Sequence, residues 1–137
     1  MATSTLMQML STTQIASLTT TALATFSATD LGYLTTTQIR SLSTTNVATL
    51  SSTQLPGLTS TQVSVLTTTQ VTGLSSSQMG RLTLTQVDGL ATTGVSTLTT
   101  TQLGGLSSSQ FGALNTNQLS VLTTTRIAVL TTTQLDG

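Results

Sequence analysis

Hydroxyl groups are the reactive side chains that this sequence carries in quantity. Its 137 residues include 37 threonines and 18 serines, and a hydroxyl becomes a nucleophile where a neighbouring base takes its proton. The sequence has no histidine, lysine or glutamate to serve as that base, and Asp30, Asp88 and Asp136 lie far apart along the chain. We therefore predict no catalytic residue and no small-molecule substrate, so that the protein is not an enzyme.

Cofactor and metal sites are also not expected. Haem iron needs an axial histidine, cysteine, methionine or tyrosine, and Met7, Met9, Met79 and Tyr33 are more simply interpreted as core or surface residues. The chain has no cysteine, which excludes disulfides and thiolate metal ligands. We predict neither a cofactor nor a bound metal.

The small number of charges argues against several classes of partner. Arg40, Arg81 and Arg126 balance the three aspartates, which gives a net charge of zero. Nucleic acid and anionic membrane surfaces attract clustered basic residues, so we expect neither as a partner. The longest purely apolar run, residues 127–130, is too short for membrane insertion, and the first ten residues lack the features of a secretory signal.

An eight-residue repeat organises the whole sequence. Leucine recurs every eight positions from Leu10 to Leu130, with Phe26 in the one gap, so an initial methionine is followed by seventeen octads over residues 2–137. We number each octad from this leucine as position 1. The octad at residues 34–41 then reads Leu-Thr-Thr-Thr-Gln-Ile-Arg-Ser. We predict one repeat array over residues 1–137, with no separate domain.

Octad positions 2 and 5 carry a pattern that begins helices. In a capping box, a Ser or Thr hydroxyl accepts from the backbone N–H three residues later, and a Gln there reaches back to the N–H of the first residue. Positions 1 and 6 are apolar and match the accompanying hydrophobic staple. We assign structural capping boxes to Thr35 with Gln38, Thr67 with Gln70, and Thr99 with Gln102. The predicted core residues are Leu34, Ile39, Leu42, Val47, Leu66, Val71, Leu98 and Leu122.

Glycine near the end of the octad limits each helix to one or two turns. Position 8 is glycine at Gly57, Gly73, Gly89 and Gly105, in octads that alternate with octads lacking it there. This sixteen-residue alternation predicts a coil of two octads, with these glycines at tight corners. One octad buries too little apolar surface to fold alone, so neighbouring octads must stack as in a solenoid.

A β-solenoid is the alternative fold. Thr, Val and Ile favour strands, and stacked polar side chains could form ladders between coils. However, the apolar spacing of five and then three residues departs from the period of two that a strand requires. A strand also leaves the pairing of Ser/Thr at position 2 with Gln at position 5 unexplained. We therefore predict an all-α solenoid of very short, capped helices.

The unit Leu-Thr-Thr-Thr-Gln-Ile/Val-x-x resembles the octapeptide arrays of large, repetitive bacterial proteins, some of them described as adhesin-like or haem-utilisation-like. The resemblance covers essentially the whole chain, and it brings no set of functional residues with it. It implies a threonine-rich repeat protein that lies outside the cell or at the cell surface.

Three functions remain open at this point. We favour a structural rod or spacer whose copies associate end to end, since the uncharged exterior gives little repulsion and the end octads are not polar capping repeats. The second function is ice binding through regular threonine rows. The third is an adhesive module that binds protein or glycan.

Overall fold

A computed structural model describes residues 3–136 and shows an all-α solenoid. Within these residues every octad but one contributes an α-helix of four to seven residues, and no residue lies in a strand. The prediction of short helices is confirmed, and the β-solenoid alternative was wrong. Met1, Ala2 and Gly137, which the predicted array includes, lie outside the described residues.

Most helices begin at octad position 3 and end at position 6, 7 or 8. They are α1 (Thr3–Met9), α2 (Thr12–Ala16), α3 (Thr20–Leu23), α4 (Ala28–Tyr33), α5 (Thr36–Ser41), α6 (Thr44–Ala48), α7 (Ser60–Ser64), α8 (Thr68–Gly73), α9 (Ser76–Met79), α10 (Leu84–Gly89), α11 (Thr92–Thr97), α12 (Thr100–Gly104), α13 (Ser108–Gly112), α14 (Thr116–Ser120), α15 (Thr124–Ile127) and α16 (Thr132–Leu135). Between α6 and α7, a 3-10 turn at Leu55–Gly57 replaces the α-helix and includes Pro56.

Two extended residues make the corner between consecutive helices. Leu42 follows α5 with φ −60° and ψ 136°, and Ser43 precedes α6 with φ −66° and ψ 156°. The Leu42 N–H donates to the Ile39 carbonyl oxygen at 3.2 Å, which closes the helix before the chain turns. The corner is therefore built at octad positions 1 and 2, in backbone conformations that any L-residue adopts.

One coil contains between three and four octads rather than two. Helices pack against the helix three octads away, as α8 does against α11 and α7 against α10. Side-chain hydrogen bonds between coils join residues 28 and 31 apart, so residues 3–136 make between four and five coils. The prediction of a two-octad coil was wrong. Glycine at position 8 alternates with a period of two octads, whereas packed helices lie three octads apart. Because three is odd, an octad with this glycine stacks on an octad without it, and the sixteen-residue alternation reflects that stacking.

The glycines predicted at corners serve close packing between coils. They are Gly57, Gly73, Gly89 and Gly105. No glycine in the described part of the chain has a positive φ, so a left-handed turn does not explain them. Each faces position 3 of the octad three earlier: a Cβ on Gly73 would lie 2.5 Å from Thr44 Cγ2, and one on Gly89 would lie 2.9 Å from Ser60 Cβ. The prediction of glycine corners was wrong because these sites are restricted by the neighbouring coil and not by the turn.

The core is formed by the aliphatic side chains of positions 1 and 6. The eight residues predicted for it have at most 7% of their surface exposed. These residues are Leu34, Ile39, Leu42, Val47, Leu66, Val71, Leu98 and Leu122. They belong to one continuous apolar cluster that runs through successive coils. Within residues 3–136, none of the helices has the length and hydropathy needed to cross a lipid bilayer.

Candidate functional site

Reciprocal hydrogen bonds join octad positions 2 and 5. Before α8, the Gln70 N–H donates to Thr67 Oγ1 at 3.2 Å, and the Thr67 N–H donates to Gln70 Oε1 at 2.9 Å. The structure places the other two predicted pairs in the same geometry, Thr35 with Gln38 before α5 and Thr99 with Gln102 before α12. Each box satisfies two N–H groups that the start of a helix leaves without partners.

The amide nitrogen of the same glutamine joins one coil to the next. Gln70 Nε2 donates to the carbonyl oxygens of Ile39 at 2.9 Å and of Leu42 at 2.8 Å, both in the preceding coil. These carbonyls lie at positions 6 and 1 of consecutive octads, so the amide spans a corner. Gln70 is only 2% exposed. Its oxygen caps its own helix while its nitrogen holds the preceding coil. We call the pair of hydrogen bonds from Nε2 to the preceding coil a glutamine bridge.

Glutamine bridges form a row through the stack. Ten of the eleven position-5 glutamines donate from Nε2 to the carbonyl oxygens 31 and 28 residues earlier, at 2.6–3.0 Å. The ten are Gln38, Gln54, Gln62, Gln70, Gln78, Gln86, Gln102, Gln110, Gln118 and Gln134. Reasoning from the sequence assigned the capping half of this role and missed the bridging half. The available signal was the use of glutamine, and nowhere glutamate, at a position where glutamate would also complete a capping box.

Three later octads depart from this row. Asn46 has a shorter side chain and makes one bond between coils, from Nδ2 to the Leu18 carbonyl oxygen at 3.1 Å. Before α11, Ala91 and Gly94 replace both members of the box, so the side-chain cap and the bridge are lost together. Arg126 in α15 replaces the third glutamine, and that helix also has no side-chain cap.

The gaps at positions 94 and 126 adjoin the same helix. By the 31- and 28-residue spacing of the other bridges, a glutamine at 94 would reach the carbonyls of Val63 and Leu66. A glutamine at 126 would reach those of Val95, within α11, and Leu98, directly after it. Helix α11 packs against α8 and α14; it donates no bridge to the preceding coil, and the one bridge beside it runs from Gln118 in α14 to the Leu90 carbonyl oxygen, just before the helix, at 2.8 Å. This helix therefore depends more on side-chain packing than helices that have bridges on both sides.

The first coil, residues 3–33, is poor in bridging donors. Its position-5 residues are Leu6, Gln14, Ala22 and Asp30, so one side chain of the four carries an amide. Gln14 Oε1 caps α2 by accepting from the Ser11 N–H at 2.8 Å. Its Nε2 makes no hydrogen bond with another described residue. This coil therefore presents one bridging amide where an inner coil presents three or four.

A family model described as the ALTTAQ repeat matches residues 23–60. The chain is a repeat protein. No curated protein and no solved structure matches it. The matched residues include two of the glutamine bridges, at Gln38 and Gln54. The match thus covers residues that both begin helices and join coils.

Asp30 makes a charged variant of the capping box. Its Oδ2 accepts from the Ser27 N–H at 2.9 Å and from the Ser27 hydroxyl at 2.8 Å. These backbone and side-chain hydrogen bonds favour the ionised carboxylate and hold the pKa of Asp30 below its ordinary value of 3.8, against a small opposing effect of burial. Asp30 therefore caps α4 as a carboxylate, and its side chain has no N–H that could bridge to the preceding coil.

A second uniform row lies on the outer surface. From Thr13 to Thr133, every octad has an exposed side chain at position 4. It is threonine except at Ser77, Ser109 and Asn117. The capping box does not use position 4, and a β-branched residue gains nothing there from helix formation. The packing of the fold therefore does not account for this threonine row.

Hydrogen bonding and packing are the chemistry that these surfaces offer. In the described residues, no three His, Cys, Asp or Glu side chains lie close enough to hold a metal ion. A wide, shallow groove of about 310 Å³ runs past Ser76, Ser77, Gly80, Arg81 and Gly105 and is open to solvent. Its one ionisable side chain, Arg81, is exposed and has no acid or base beside it in that lining.

Proposed function

We propose that this chain is a structural scaffold without catalytic activity. It forms a rod that sets a distance by its length, and copies of the rod associate end to end. The observation that carries this proposal is the row of glutamine bridges. A bridge uses only octad positions 1, 5 and 6, so the same contact can recur in every added coil that keeps glutamine at position 5 and the alternation of glycine at position 8. The number of octads then determines the length of the rod while its cross-section stays constant.

Two further features support this role. A net charge of zero, with only 4% charged residues, leaves little electrostatic repulsion between copies. The resemblance to octapeptide arrays of large, adhesin-like proteins supports a position outside the cell or at its surface. In this proposal the scaffold needs no substrate, cofactor or nucleic acid.

Lengthening the array tests the scaffold role. Residues 58–89 form four octads, and a second copy of them inserted after Gly89 adds about one coil. Small-angle X-ray scattering should then show a longest dimension increased by about 10 Å, the distance between packed helices, and an unchanged cross-sectional radius. An insert of the same 32 residues in scrambled order is the matched control. A thicker particle, or equal extension with the scrambled insert, would contradict the proposal.

Sedimentation velocity over a wide range of concentration tests end-to-end association. Copies that join at their ends form elongated particles, so the frictional ratio should rise with the sedimentation coefficient. Compact oligomers would keep the frictional ratio low. A chain that stays monomeric at the highest concentration would contradict the association and leave the spacer role in place.

Ice binding is a second candidate function, which the threonine row favours. Its members are exposed, nearly uniform and outside the capping boxes and the core. Ice-crystal growth with measurement of thermal hysteresis tests this candidate. Substituting Thr37, Thr69 and Thr101 together with alanine should abolish any activity and leave the circular dichroism spectrum unchanged. Ice that grows normally in the presence of the unsubstituted protein would exclude this function.

A further inference from the structure

The last coil, residues 114–136, exposes the face that inner coils cover. Position-6 side chains such as Val47 and Val87 are completely buried, whereas Leu119, Ile127 and Leu135 are 40%, 44% and 56% exposed. The final glutamine bridge ends at the Leu106 carbonyl. No described side-chain amide reaches the position-1 and position-6 carbonyls that follow. This face therefore combines apolar surface with hydrogen-bond acceptors in the arrangement that an inner coil offers to its successor.

The first coil has the matching face with fewer donors. Gln14 is exposed and retains a free Nε2 within the described structure. Leu6 is 48% and Met9 70% exposed. A coil of this repeat is thus the surface that fits the last coil, because it would continue the interface already formed between every pair of inner coils.

We propose that copies join head to tail in the register of the inner coils, and that the position-5 residues of the first coil set the strength of the junction. This inference rests on the proposed end-to-end association. When the octad at residues 2–9 of one copy follows the octad at residues 130–137 of another, the 31- and 28-residue spacing continues across the junction. Gln14 Nε2 then donates to the carbonyls of Leu119 and Leu122 in the other copy.

Flanking positions in this junction contribute no bridge. Leu6 lies where a glutamine would reach the carbonyls of Phe111 and Leu114, and Ala22 lies where one would reach those of Ile127 and Leu130. The junction therefore has one glutamine bridge, whereas the contact between two inner coils has three or four. Association between copies is accordingly weaker than stacking within a copy, and it is reversible.

Cysteine pairs report the register directly, because the chain has no cysteine of its own. Within the chain, a Cβ on Gly73 would lie 3.8 Å from Thr44 Cβ, a separation that a disulfide spans. Across the proposed junction, the equivalent pair is Met9 of one copy and Thr116 of the other, and both are exposed. We expect Met9→Cys protein mixed with Thr116→Cys protein to form a disulfide-linked heterodimer on mild oxidation.

Matched mixtures distinguish this register from the alternatives. Thr124→Cys places the cysteine at the same octad position one octad later and should cross-link poorly to Met9→Cys. Preferential cross-linking to position 124 would overturn the register, and preferential Met9→Cys homodimers would show head-to-head contact and overturn the polarity. If the unsubstituted chain associates in sedimentation and no mixture cross-links, this inference fails while end-to-end association stands. If the chain does not associate at all, both fail.

Adding amide donors at position 5 of the first coil tests what sets the strength of the junction between copies. The double variant Leu6→Gln/Ala22→Gln supplies two more bridging amides and should lower the dissociation constant between copies at least tenfold, about 1.4 kcal/mol. The matched control Thr5→Gln/Thr21→Gln adds the same side chains one residue earlier, on exposed positions, and should leave the dissociation constant unchanged. Equal association of the two variants would overturn the role assigned to position 5.

Discussion

Replacing Gln70 with alanine removes three side-chain hydrogen bonds at once. The Thr67 N–H loses its acceptor, and the carbonyls of Ile39 and Leu42 lose the amide that joins the coils. A hydrogen bond within a protein contributes about 1 kcal/mol net, so Gln70→Ala should lower the free energy of unfolding by about 3 kcal/mol. This exceeds the loss of about 1 kcal/mol that a cap alone predicts.

Gln14 provides a control within the same chain. It makes the same capping bond to Ser11 and no bridge to another described residue. Gln14→Ala should therefore cost about 1 kcal/mol, and the difference between the two variants isolates the bridge. Urea unfolding followed by far-ultraviolet circular dichroism measures both. Equal losses at positions 14 and 70 would refute the idea that the bridge stabilises the stack.

A glutamate at position 70 separates the effect of the amide hydrogen-bond donor from the effect of side-chain shape. Gln70→Glu retains an oxygen that can cap Thr67, but the carboxylate cannot donate and would be buried beside the Ile39 and Leu42 carbonyls. Burial and these carbonyls should raise the pKa of the new carboxyl in the folded state above its unfolded value. The variant should then be most stable below the unfolded pKa and lose stability as the pH rises through the folded pKa. A stability independent of pH between acid and neutral would contradict this account.

Three further predictions follow from the same contacts. A Cβ at Gly105 would overlap the Ser76 carbonyl oxygen, whereas one at Gly104 meets nothing within 4 Å. In urea unfolding, Gly105→Ala should therefore cost about 1–3 kcal/mol and Gly104→Ala nothing, and equal effects would contradict the packing role of glycine. Ala91→Thr/Gly94→Gln should restore a box and a bridge at α11 and raise the free energy of unfolding in the same assay by about 3 kcal/mol, with a small shift of Val71, which would lie 3.2 Å from the new Cβ. An unchanged or lower stability would contradict this prediction. The lowered pKa of Asp30 means that its stabilising effect is present above its unfolded pKa and lost as the pH falls through the folded pKa; Asp30→Asn should remove this loss in an acid titration of stability, and an unchanged profile would show that it has another origin.

The capping boxes could be predicted from the sequence because their partners lie three residues apart. Thr67 and Gln70 meet through helix geometry alone, whatever the rest of the chain does. The number of octads per coil has a different origin, since it depends on how the corner at Leu42 and Ser43 directs each helix and on packing between residues about thirty apart. No pattern within one octad specifies the angle between consecutive helices. The glycine alternation was a real signal of stacking that sequence reasoning assigned to the wrong contact.

The absence of glutamate was the signal that could have predicted the bridge. A capping box accepts glutamate or glutamine, and a carboxylate interacts more favourably than an amide with the positive end of the helix dipole. Capping alone would thus leave glutamate in some octads, yet the chain has none. A side chain that must accept at its oxygen and donate at its nitrogen has to be an amide. Asn46, which still bridges to Leu18, is the one other amide in the row.

The two uniform rows of this chain differ in their relation to the fold. Position 5 varies where the stack can do without a bridge, in the first coil and beside α11, so contacts between coils account for its residue types. Position 4 varies even less, although its side chains are exposed and threonine favours a helix less than alanine does. Neither helix propensity nor capping therefore explains the uniformity of this row. The glutamine row therefore explains how the rod is built, and the threonine row is the surface on which a binding role should be sought.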